Sequence, residues 1–402
     1  MTCVFVYQEL ASRNPFVQNL EDQGYFLDFI GGYFVIYGLP YLNARGELAY
    51  GDWASPVDLS ADGVLDAPSN HQAWFRGDRP HDQSGRALRL GGGEDKVKVA
   101  DELVTDHSFS YKLLDETGQL RAYSSFEEKV TTYLATITAP ALAAFPNATP
   151  LQALERKSWE QGTPLRLPDT LSARYHMNDV SRLLVGKKTA IVGLGGTGSY
   201  ILDFIARTHL EEIALFDDDT VHVHTLFRFP GYVPHAAIGM LKVDALFMQY
   251  SNWHSNIVAI PERVTDANIE KLANFDFVFL ALDDGPSRIL IADWLSANGI
   301  PFVDCGMGLN RAAEGLNGVV RVTGSDRVAF ETTARTRFLP GDDPEGGEYR
   351  KQGQIAELNA LNATLAIVWF KQHFGIYDRE EKSPSIILET STFEVDKSGG
   401  AS

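Results

Sequence analysis

KTAIVGLGGTGSY, residues Lys188–Tyr200, places a short apolar run directly before four glycines and a second, helix-like apolar segment. The glycines are Gly193, Gly195, Gly196 and Gly198. Such a turn between a strand and a helix lets backbone N–H groups approach phosphate at the positive end of the helix. A second strand-like segment, Glu212–Phe216, ends at Asp217. This acid follows the glycines by about 20 residues, the spacing at which a carboxylate meets ribose hydroxyls. The pattern predicts a nucleotide site.

Charged residues follow the predicted strands in a way that favours a triphosphate over a dinucleotide. Asp219 follows Asp217, and Arg228 and Lys242 come before the next strand. Asp283 follows the strand-like segment Phe275–Leu280. Because ligands bind outside the carboxyl ends of parallel strands, these side chains are expected at one crevice. One arginine, one lysine and a carboxylate suit a triphosphate and its Mg²⁺.

Alternation of strand-like and helix-like segments predicts an α/β fold with a doubly wound, Rossmann-like, mostly parallel sheet. The predicted parallel strands are Thr189–Val192, Glu212–Phe216, Ile257–Pro261, Phe275–Leu280 and Pro301–Asp304, with helices starting near Gly198, Leu241, Ala267 and Ser287. Gly318–Thr323 is predicted to add an antiparallel strand. A helix over Ile355–Phe374 would present Leu358, Leu361, Leu365 and Val368 as a core or dimer stripe. Ile386–Glu394 is predicted as the last strand and Asp396–Ser402 as a disordered tail.

We predict two domains. Residues 1–165 would form a separate, β-rich α+β accessory domain that clamps a carrier or peptide or mediates assembly. It contains a predicted hairpin at Tyr41–Tyr50 and a helix at Phe126–Thr138 that stops before Pro140. Residues 166–402 would form the nucleotide-binding domain, with a core at 172–323 followed by a crossover segment, helix and strand at 324–396.

Five ordered motifs in this second domain resemble the ThiF/MoeB/HesA family, the bacterial relatives of the ubiquitin-activating enzymes. They are the GxGGxGS loop (Gly193–Ser199), the LxDxD strand end (Leu215–Asp219), an NLxRQ-like segment (Thr225–Phe229), GxxK (Gly239–Lys242) and Asp283 with Arg288. The resemblance implies the activating-enzyme adenylation fold. The first domain resembles an uncharacterised domain that precedes some bacterial ThiF-like enzymes, often encoded near ubiquitin-like proteins.

The resemblance also implies roles. Gly193, Gly195, Gly196 and Gly198 would lie against ATP, Asp217 would hold the ribose, and Asp219 would be a further cofactor-binding residue. Arg228 and Lys242 would contact phosphate, and Asp283 would bind Mg²⁺. A carrier's C-terminal carboxylate would attack the α-phosphate and give an acyl-adenylate and pyrophosphate.

This chain departs from the family pattern at three positions. Thr225 stands where the family usually has Asn, and Phe229 where it has Gln. Met177 occupies the position of an arginine that reaches into the partner subunit's site. Arg174 or Arg182 is expected to substitute, or both are ordinary surface arginines.

The two cysteines, Cys3 and Cys305, limit the mechanism. Without CxxC pairs, no structural zinc is expected. The crossover segment, about Gly324–Lys351, contains no cysteine for a thioester, and Cys305 follows a strand-like apolar run, where a small core residue is expected. Either the adenylate passes directly to an acceptor, or a hydroxyl of Thr332, Thr333 or Thr336 replaces the thiol.

Composition excludes several classes of partner. The 402-residue chain carries a net charge of −18 and no basic cluster, which opposes nucleic acid and anionic membranes. No apolar run has transmembrane length and the N-terminus lacks a signal peptide, so a cytoplasmic protein is expected.

The leading interpretation is an ATP-dependent adenylyltransferase acting on a ubiquitin-like carrier with a C-terminal glycine. It would act as a homodimer, with a downstream conjugating enzyme as a further partner and bacterial ubiquitin-like conjugation as its setting. The alternatives are adenylation of a short peptide, a non-catalytic scaffold subunit of an activating enzyme, and an NAD-dependent oxidoreductase.

Overall fold

The computed structural model describes residues 10–100, 103–150, 163–167, 169–175, 177–325, 354–380 and 385–398. The chain divides into two compact units, one of residues 1–162 and 167–178 and one of residues 163–166 and 179–402. The predicted bounds of 1–165 and 166–402 stay a prediction. Each unit is described by itself.

An antiparallel sheet with a helix on one face forms the first unit. Its helices are α1 (Pro15–Asp22), α2 (Phe126–Ala144) and α3 (Thr170–Arg174). Its strands are β1 (Phe26–Ile30), β2 (Tyr33–Leu42), β3 (Leu48–Pro56), β4 (Gln72–Arg76), β5 (Gly93–Glu94), β6 (Lys98–Ala100), β7 (Leu103–Val104), β8 (His107–Ser110), β9 (Leu113–Leu114) and β10 (Leu120–Arg121). Six of them pair in the order β1-β2-β3-β4-β8-β5. The β2–β3 pair is the predicted hairpin.

The helix predicted to stop before Pro140 runs on to Ala144, so that prediction was wrong. A proline inside a helix removes one hydrogen bond. The alanine-rich sequence around it has the highest helix propensity, and the buried face of α2, which includes Tyr133 and Ile137, anchors the helix on the sheet. Tyr133 packs against Trp53 of β3, with ring centroids 5.5 Å apart.

The second unit is a three-layer α/β structure. Its helices are α4 (Asn178–Ser181), α5 (Gly196–Ile205), α6 (Val223–Leu226), α7 (Lys242–Tyr250), α8 (Gly285–Ala297) and α9 (Ala356–His373), with 3₁₀ turns at Arg182–Leu184, His235–Ala237 and Ile269–Asn274. Its strands are β11 (Lys188–Val192), β12 (Glu212–Phe216), β13 (Ile257–Ile260), β14 (Phe277–Leu280), β15 (Phe302–Ala312), β16 (Gly315–Ser325), β17 (Ser385–Glu389) and β18 (Val395–Ser398).

These strands form one sheet in the order β13-β12-β11-β14-β15-β16-β17-β18. The first five are mutually parallel and the last three pair antiparallel. Strands β12 and β13 lie on one side of β11, and β14 and β15 lie on the other. The order in which successive strands are added therefore reverses between β11 and β14, and ligands bind at such a switch point. The doubly wound, mostly parallel fold predicted from the sequence is confirmed.

Both faces of this sheet are buried, because alternate residues of each strand point to opposite sides. Ile191 and Leu215 face a core shared with α5, α7 and α9. Ala190 and Phe216 face a second core shared with α8.

Three smaller predictions were wrong. The segment near Ala267 forms only the short 3₁₀ turn, and the predicted last strand ends at Glu389. Val395–Ser398 is strand β18 on the edge of the sheet, where a disordered tail was predicted. This strand has no apolar alternation that would reveal it in the sequence. It forms because its backbone groups pair with the edge of the sheet.

Candidate functional site

A cavity of about 280 Å³ opens at the switch point of the second unit's sheet. It is bounded by the loop after β11, the end of β12, the segment before α7 and the loop after β14. Among the predicted site residues, its lining includes Gly193, Gly195, Gly196, Asp217, Asp219, Arg228, Lys242 and Asp283. These residues span about 90 positions of the sequence, from Gly193 to Asp283, and the fold brings them to one crevice.

Two of the four glycines shape the loop itself. Gly193 has φ of +92°, in the left-handed region, and a Cβ there would lie 2.6 Å from the Ala281 carbonyl oxygen. A Cβ on Gly198, in the first turn of α5, would lie 1.9 Å from the Gly193 carbonyl oxygen. Gly198 therefore lets the loop fold back onto its own helix, and the cavity lining does not include it.

The other two glycines differ in what surrounds them. A Cβ on Gly195 would have no atom within 4 Å, so the backbone there is open to the cavity. A Cβ on Gly196 would lie 2.1 Å from the side-chain nitrogen of Asn359, a fully buried residue of α9. Asn359 also accepts a hydrogen bond from Thr197 Oγ1 at 3.0 Å. The N-terminus of α5 therefore faces open space at Gly195 and is held from behind by α9.

Lys242 joins two carboxylates beside the loop. Its Nζ lies 2.9 Å from Asp219 Oδ2 and 3.5 Å from Asp217 Oδ1. Asp217 also accepts backbone hydrogen bonds from Leu194 at 2.6 Å and Asp219 at 2.9 Å. It therefore ties the glycine loop to the end of β12.

The two carboxylates differ in environment. Burial raises the pKa of Asp217 above its ordinary value, against the attraction of Lys242. The hydrogen bond from Lys242 lowers the pKa of Asp219, which is far more exposed. An entering phosphate can therefore displace Asp219 from Lys242 at small desolvation cost, because that carboxylate can turn into solvent.

Arg228 is positioned by α6 and by the residue two places before α9. Its Nη1 donates to Gln354 Oε1 at 2.6 Å, and its Nε is shielded from solvent with no hydrogen-bond acceptor. Burial lowers the pKa of Arg228, and nearby Asp283 opposes that shift. Asp283 itself is exposed at the cavity edge. The guanidinium retains donor capacity for a further anion.

Arg288 lies beneath this surface. Its Nε donates to Asp304 Oδ1 at 2.9 Å and its Nη2 to the Cys305 carbonyl, while Arg321 donates to Asp304 Oδ2 at 2.7 Å. Arg288 and Asp304 are both buried, which costs desolvation energy. Their opposite charges and their hydrogen bonds to each other, to the Cys305 carbonyl and to Arg321 offset that cost. The arginine of the Asp283/Arg288 motif thus braces β15.

Cys305 is buried in the same core, as expected. Burial raises the pKa of its thiol far above the ordinary value, with Asp304 adding to the shift. A neutral thiol in this position is a poor nucleophile.

The two departures at Thr225 and Phe229 have structural roles. Thr225 is buried, and its Oγ1 accepts the backbone N–H of His222 at 3.2 Å, which caps α6. Phe229 packs into the core with the residues of α5 and α7. Both positions thus support the segment that carries Arg228.

The remaining predicted residues lie elsewhere. Arg174, at the end of α3 in the first unit, pairs with Asp22 of the same unit. Arg182 lies in the 3₁₀ turn before β11, and Met177 is exposed. Thr332, Thr333 and Thr336 fall outside the described residues, as does Cys3.

Sequence reasoning missed the contribution of α9. Its buried face carries Asn359 and Asn362 along with Leu358, Ala363 and Trp369, whereas Leu361, Leu365 and Val368 of the predicted stripe are only partly buried. The sequence did contain a signal for this wall, namely two asparagines three positions apart on an otherwise apolar helix. A buried amide needs hydrogen-bond partners, so such a pair indicates polar contacts on that face.

Over the described ranges, no helix combines the length and apolar character needed to span a membrane. Within the same residues, no cluster of three or more His, Cys, Asp or Glu side chains is arranged to hold a metal ion.

Two family models match the chain. Residues 15–170 match a domain of unknown function, DUF6791, and residues 171–367 match the ThiF family.

Curated relatives match about half of the chain or less. The chain is 26% identical over 213 residues to the Saccharomyces cerevisiae "Adenylyltransferase and sulfurtransferase UBA4", covering 51% of this chain and 46% of the relative. It is 30% identical over 125 residues to the "SAMP-activating enzyme E1" of Haloferax volcanii, covering 30% of this chain and 45% of that protein. The chain thus spans less than half the length of these relatives.

Solved structures with a similar fold include a crystal structure of E. coli MccB with ATP. It is 16% identical, with a TM-score of 0.47, and the match covers 58% of this chain and 70% of that one.

Proposed function

Since residues 171–367 form a ThiF family domain, we propose that this chain is an ATP-dependent adenylyltransferase that activates the C-terminal carboxylate of a ubiquitin-like carrier. The observation that carries the proposal is the convergence of an open glycine loop, a ribose-type acid, two cations and an exposed carboxylate on one cavity. The curated names of the relatives, one an adenylyltransferase and one an activating enzyme, support it.

Each part of the cavity has a role in the proposed reaction. Backbone N–H groups at Gly195 and the N-terminus of α5 would bind phosphate, and Asp217 would accept ribose hydroxyls with its remaining lone pairs. Lys242 would leave Asp219 for a phosphate oxygen, while Arg228 would use its uncommitted donors. Both cations would stabilise the negative charge that grows on the leaving pyrophosphate.

The reaction needs no side-chain base, since the nucleophile is already a carboxylate. One carboxylate oxygen attacks the α-phosphorus of ATP, the bond from that phosphorus to the bridging oxygen breaks, and acyl-adenylate and pyrophosphate form. Bringing two anions together is the main barrier, and positioning plus fixed positive charge lowers it.

Mg²⁺ fits this site without a dedicated cluster of ligands. Magnesium in nucleotide sites is held by one or two carboxylates together with substrate phosphates. The exposed Asp283 would supply the protein ligand, and the ion would add positive charge at the phosphates. A NAD-dependent oxidoreductase would give Lys242, Arg228 and Asp283 no such task.

The adenylate would leave the site without forming a crossover thioester. Cys305 is buried, and there is no cysteine between residues 324 and 351, so the activated carboxyl group would pass directly to its acceptor. A homodimer, in which Arg174 or Arg182 approaches the partner's site, and a downstream conjugating enzyme complete the proposal.

Acceptor-dependent exchange of labelled pyrophosphate into ATP tests the function. Wild-type exchange should require Mg²⁺ and an acceptor with a free C-terminal carboxylate. Lys242→Met and Asp283→Asn should each reduce it about 100-fold or more, the usual effect of removing one charge-stabilising group. Lys187→Ala is the matched control. Lys187 Nζ lies 3.3 Å from Asp276 Oδ1, and neither residue lines the cavity.

Wild-type ATP binding without exchange for any acceptor would refute the enzymatic proposal and favour a scaffold. Tight NAD binding unaffected by Lys242→Met would refute the choice of nucleotide.

A further inference from the structure

Three amide side chains at the start of the C-terminal helix reach the candidate site. Gln354 accepts from Arg228, and Asn359 accepts from Thr197 of the glycine loop. The third, Asn362, lines the cavity and is only 1% exposed. The helix therefore forms one wall of the site.

Asn362 is the amide whose hydrogen bonding is incomplete. Its Nδ2 donates to the Gly306 carbonyl of β15 at 3.0 Å, and its Oδ1 is shielded from solvent with no donor. Leaving such a buried group unpaired is unfavourable. A polar atom this buried beside a cavity points to a ligand that supplies the missing donor.

The bond to Gly306 fixes which end of the amide is available. A carbonyl can only accept, so the nitrogen must face Gly306 and the oxygen must take the other direction. The missing partner must therefore be an N–H or O–H donor or a cation, and the proposed Mg²⁺ ligand is Asp283, which leaves a donor for Asn362. Ionised phosphate and carboxylate oxygens are acceptors only and cannot fill this role.

The ribose hydroxyls of the nucleotide would lie far from Asn362 if Asp217 binds them. The ribose acid Asp217 follows β12, whereas Asn362 contacts β15, three strands along the sheet in the order β12-β11-β14-β15. At about 4.8 Å per strand, that separation is about 14 Å. The donor is therefore assigned to the second substrate, which would approach the α-phosphate from the β15 side.

The chemistry of that side suits the end of a polypeptide. Cys305 and Met307 of β15 line the same cavity as Asn362 and give it an apolar wall. A peptide ending there would place its carboxylate toward the glycine loop and its last backbone N–H one residue's length behind. An unbranched end such as glycine keeps that N–H accessible.

We propose that Asn362 is a specificity-determining residue whose Oδ1 accepts the last backbone N–H of the acceptor chain. This inference rests on the proposed adenylation. The contact selects a terminal amide-linked carboxylate over carboxylates without such an N–H, and it orients the attacking oxygen.

A protein–substrate double-mutant cycle tests it. Two synthetic peptides are compared in pyrophosphate exchange: one ends in Gly-Gly, and in the other an ester replaces the last amide, so that an oxygen stands where the N–H was. For wild type, the ester should lower kcat/KM about fivefold to tenfold, the range for one hydrogen bond. Asn362→Ala should lower kcat/KM for the amide peptide similarly and show equal values for both peptides.

Controls separate this effect from folding and from the chemistry. Thr364→Ala removes an exposed hydroxyl of the same helix, which bonds the Ala360 carbonyl, and should keep the full preference for the amide. ATP affinity should be unchanged in both variants. Asn362→Ser replaces Asn362→Ala if the alanine variant does not fold.

The outcomes are distinct. An unchanged amide-to-ester ratio in Asn362→Ala, or no ester effect in wild type, overturns the inference while leaving adenylation intact. Absence of wild-type exchange with every acceptor overturns the proposed function and this inference with it.

Discussion

Gly195→Ala is expected to weaken nucleotide binding with little effect on folding stability, and Gly198→Ala is expected to lower the stability of the fold. The two glycines lie three residues apart on the same loop and helix start. A new Cβ would meet nothing within 4 Å at Gly195, but it would lie 1.9 Å from the Gly193 carbonyl oxygen at Gly198. The first variant therefore changes open space and the second changes the packed backbone.

The expected stabilities follow from these contacts. Gly195 has φ of −72° and caps α5, so alanine fits its backbone. A weaker N-cap costs about 0.5–1 kcal/mol, and the lower entropy of the unfolded chain returns about 0.4–1 kcal/mol, so little net change is expected. At Gly198 the overlap should cost about 2 kcal/mol. For a unit of this size that lowers Tm by about 4–8 °C.

Binding should show the opposite pattern. Phosphate oxygens accept backbone N–H groups at about 2.9 Å, a distance that a methyl carbon on Gly195 obstructs. We expect Gly195→Ala to raise the Kd for Mg·ATP at least tenfold, about 1.4 kcal/mol. Calorimetric titration measures the Kd, and circular dichroism melting measures Tm. Wild-type ATP affinity in Gly195→Ala, or a wild-type Tm in Gly198→Ala, would refute the reasoning.

Two further predictions concern groups around the site. Thr225→Val removes the oxygen that accepts the His222 N–H and should lower the free energy of unfolding in urea by about 1 kcal/mol; wild-type stability in this variant would contradict a capping role. His254 is buried, with Nε2 bonded to the Leu210 carbonyl and Nδ1 accepting from the Asn256 N–H, and burial lowers its pKa to about 4. Because the unfolded chain then binds the proton more readily, stability should be full above pH 6.5 and fall by up to about 3 kcal/mol as the pH drops to 4. His254→Gln should flatten this part of the unfolding profile, and an unchanged slope would contradict it.

Much of the second unit could be predicted because its signals are local. Strand β11, the glycine turn and Asp217 lie within about 30 residues, and each has a recognisable residue pattern. The sequence placed Asp217 and Lys242 at one crevice, but it could not specify their ion pair or the bond from the Leu194 N–H to Asp217.

The wall formed by α9 could not be predicted. Asn359 meets Thr197 across 162 residues of sequence, and no local pattern specifies that pairing. The leucine spacing of α9 correctly indicated a helix but placed its buried face too far toward Leu361 and Leu365. Asn359 and Asn362 are buried, but apolar spacing takes no account of asparagines. At Pro140 a local signal was present but wrong. The proline predicted the end of α2, whereas the packing of α2 on the sheet outweighs the local cost of the proline.

The bond between Thr197 and Asn359 has a consequence for biosynthesis. A ribosome adds about 5–20 residues per second, so the glycine loop emerges about 8–30 s before the helix that supports it. During that interval the nascent chain has a phosphate loop without its rear support and without the amide that orients Arg228. The nascent polypeptide therefore cannot assemble the complete pocket until Gln354 and Asn359 have also left the ribosome.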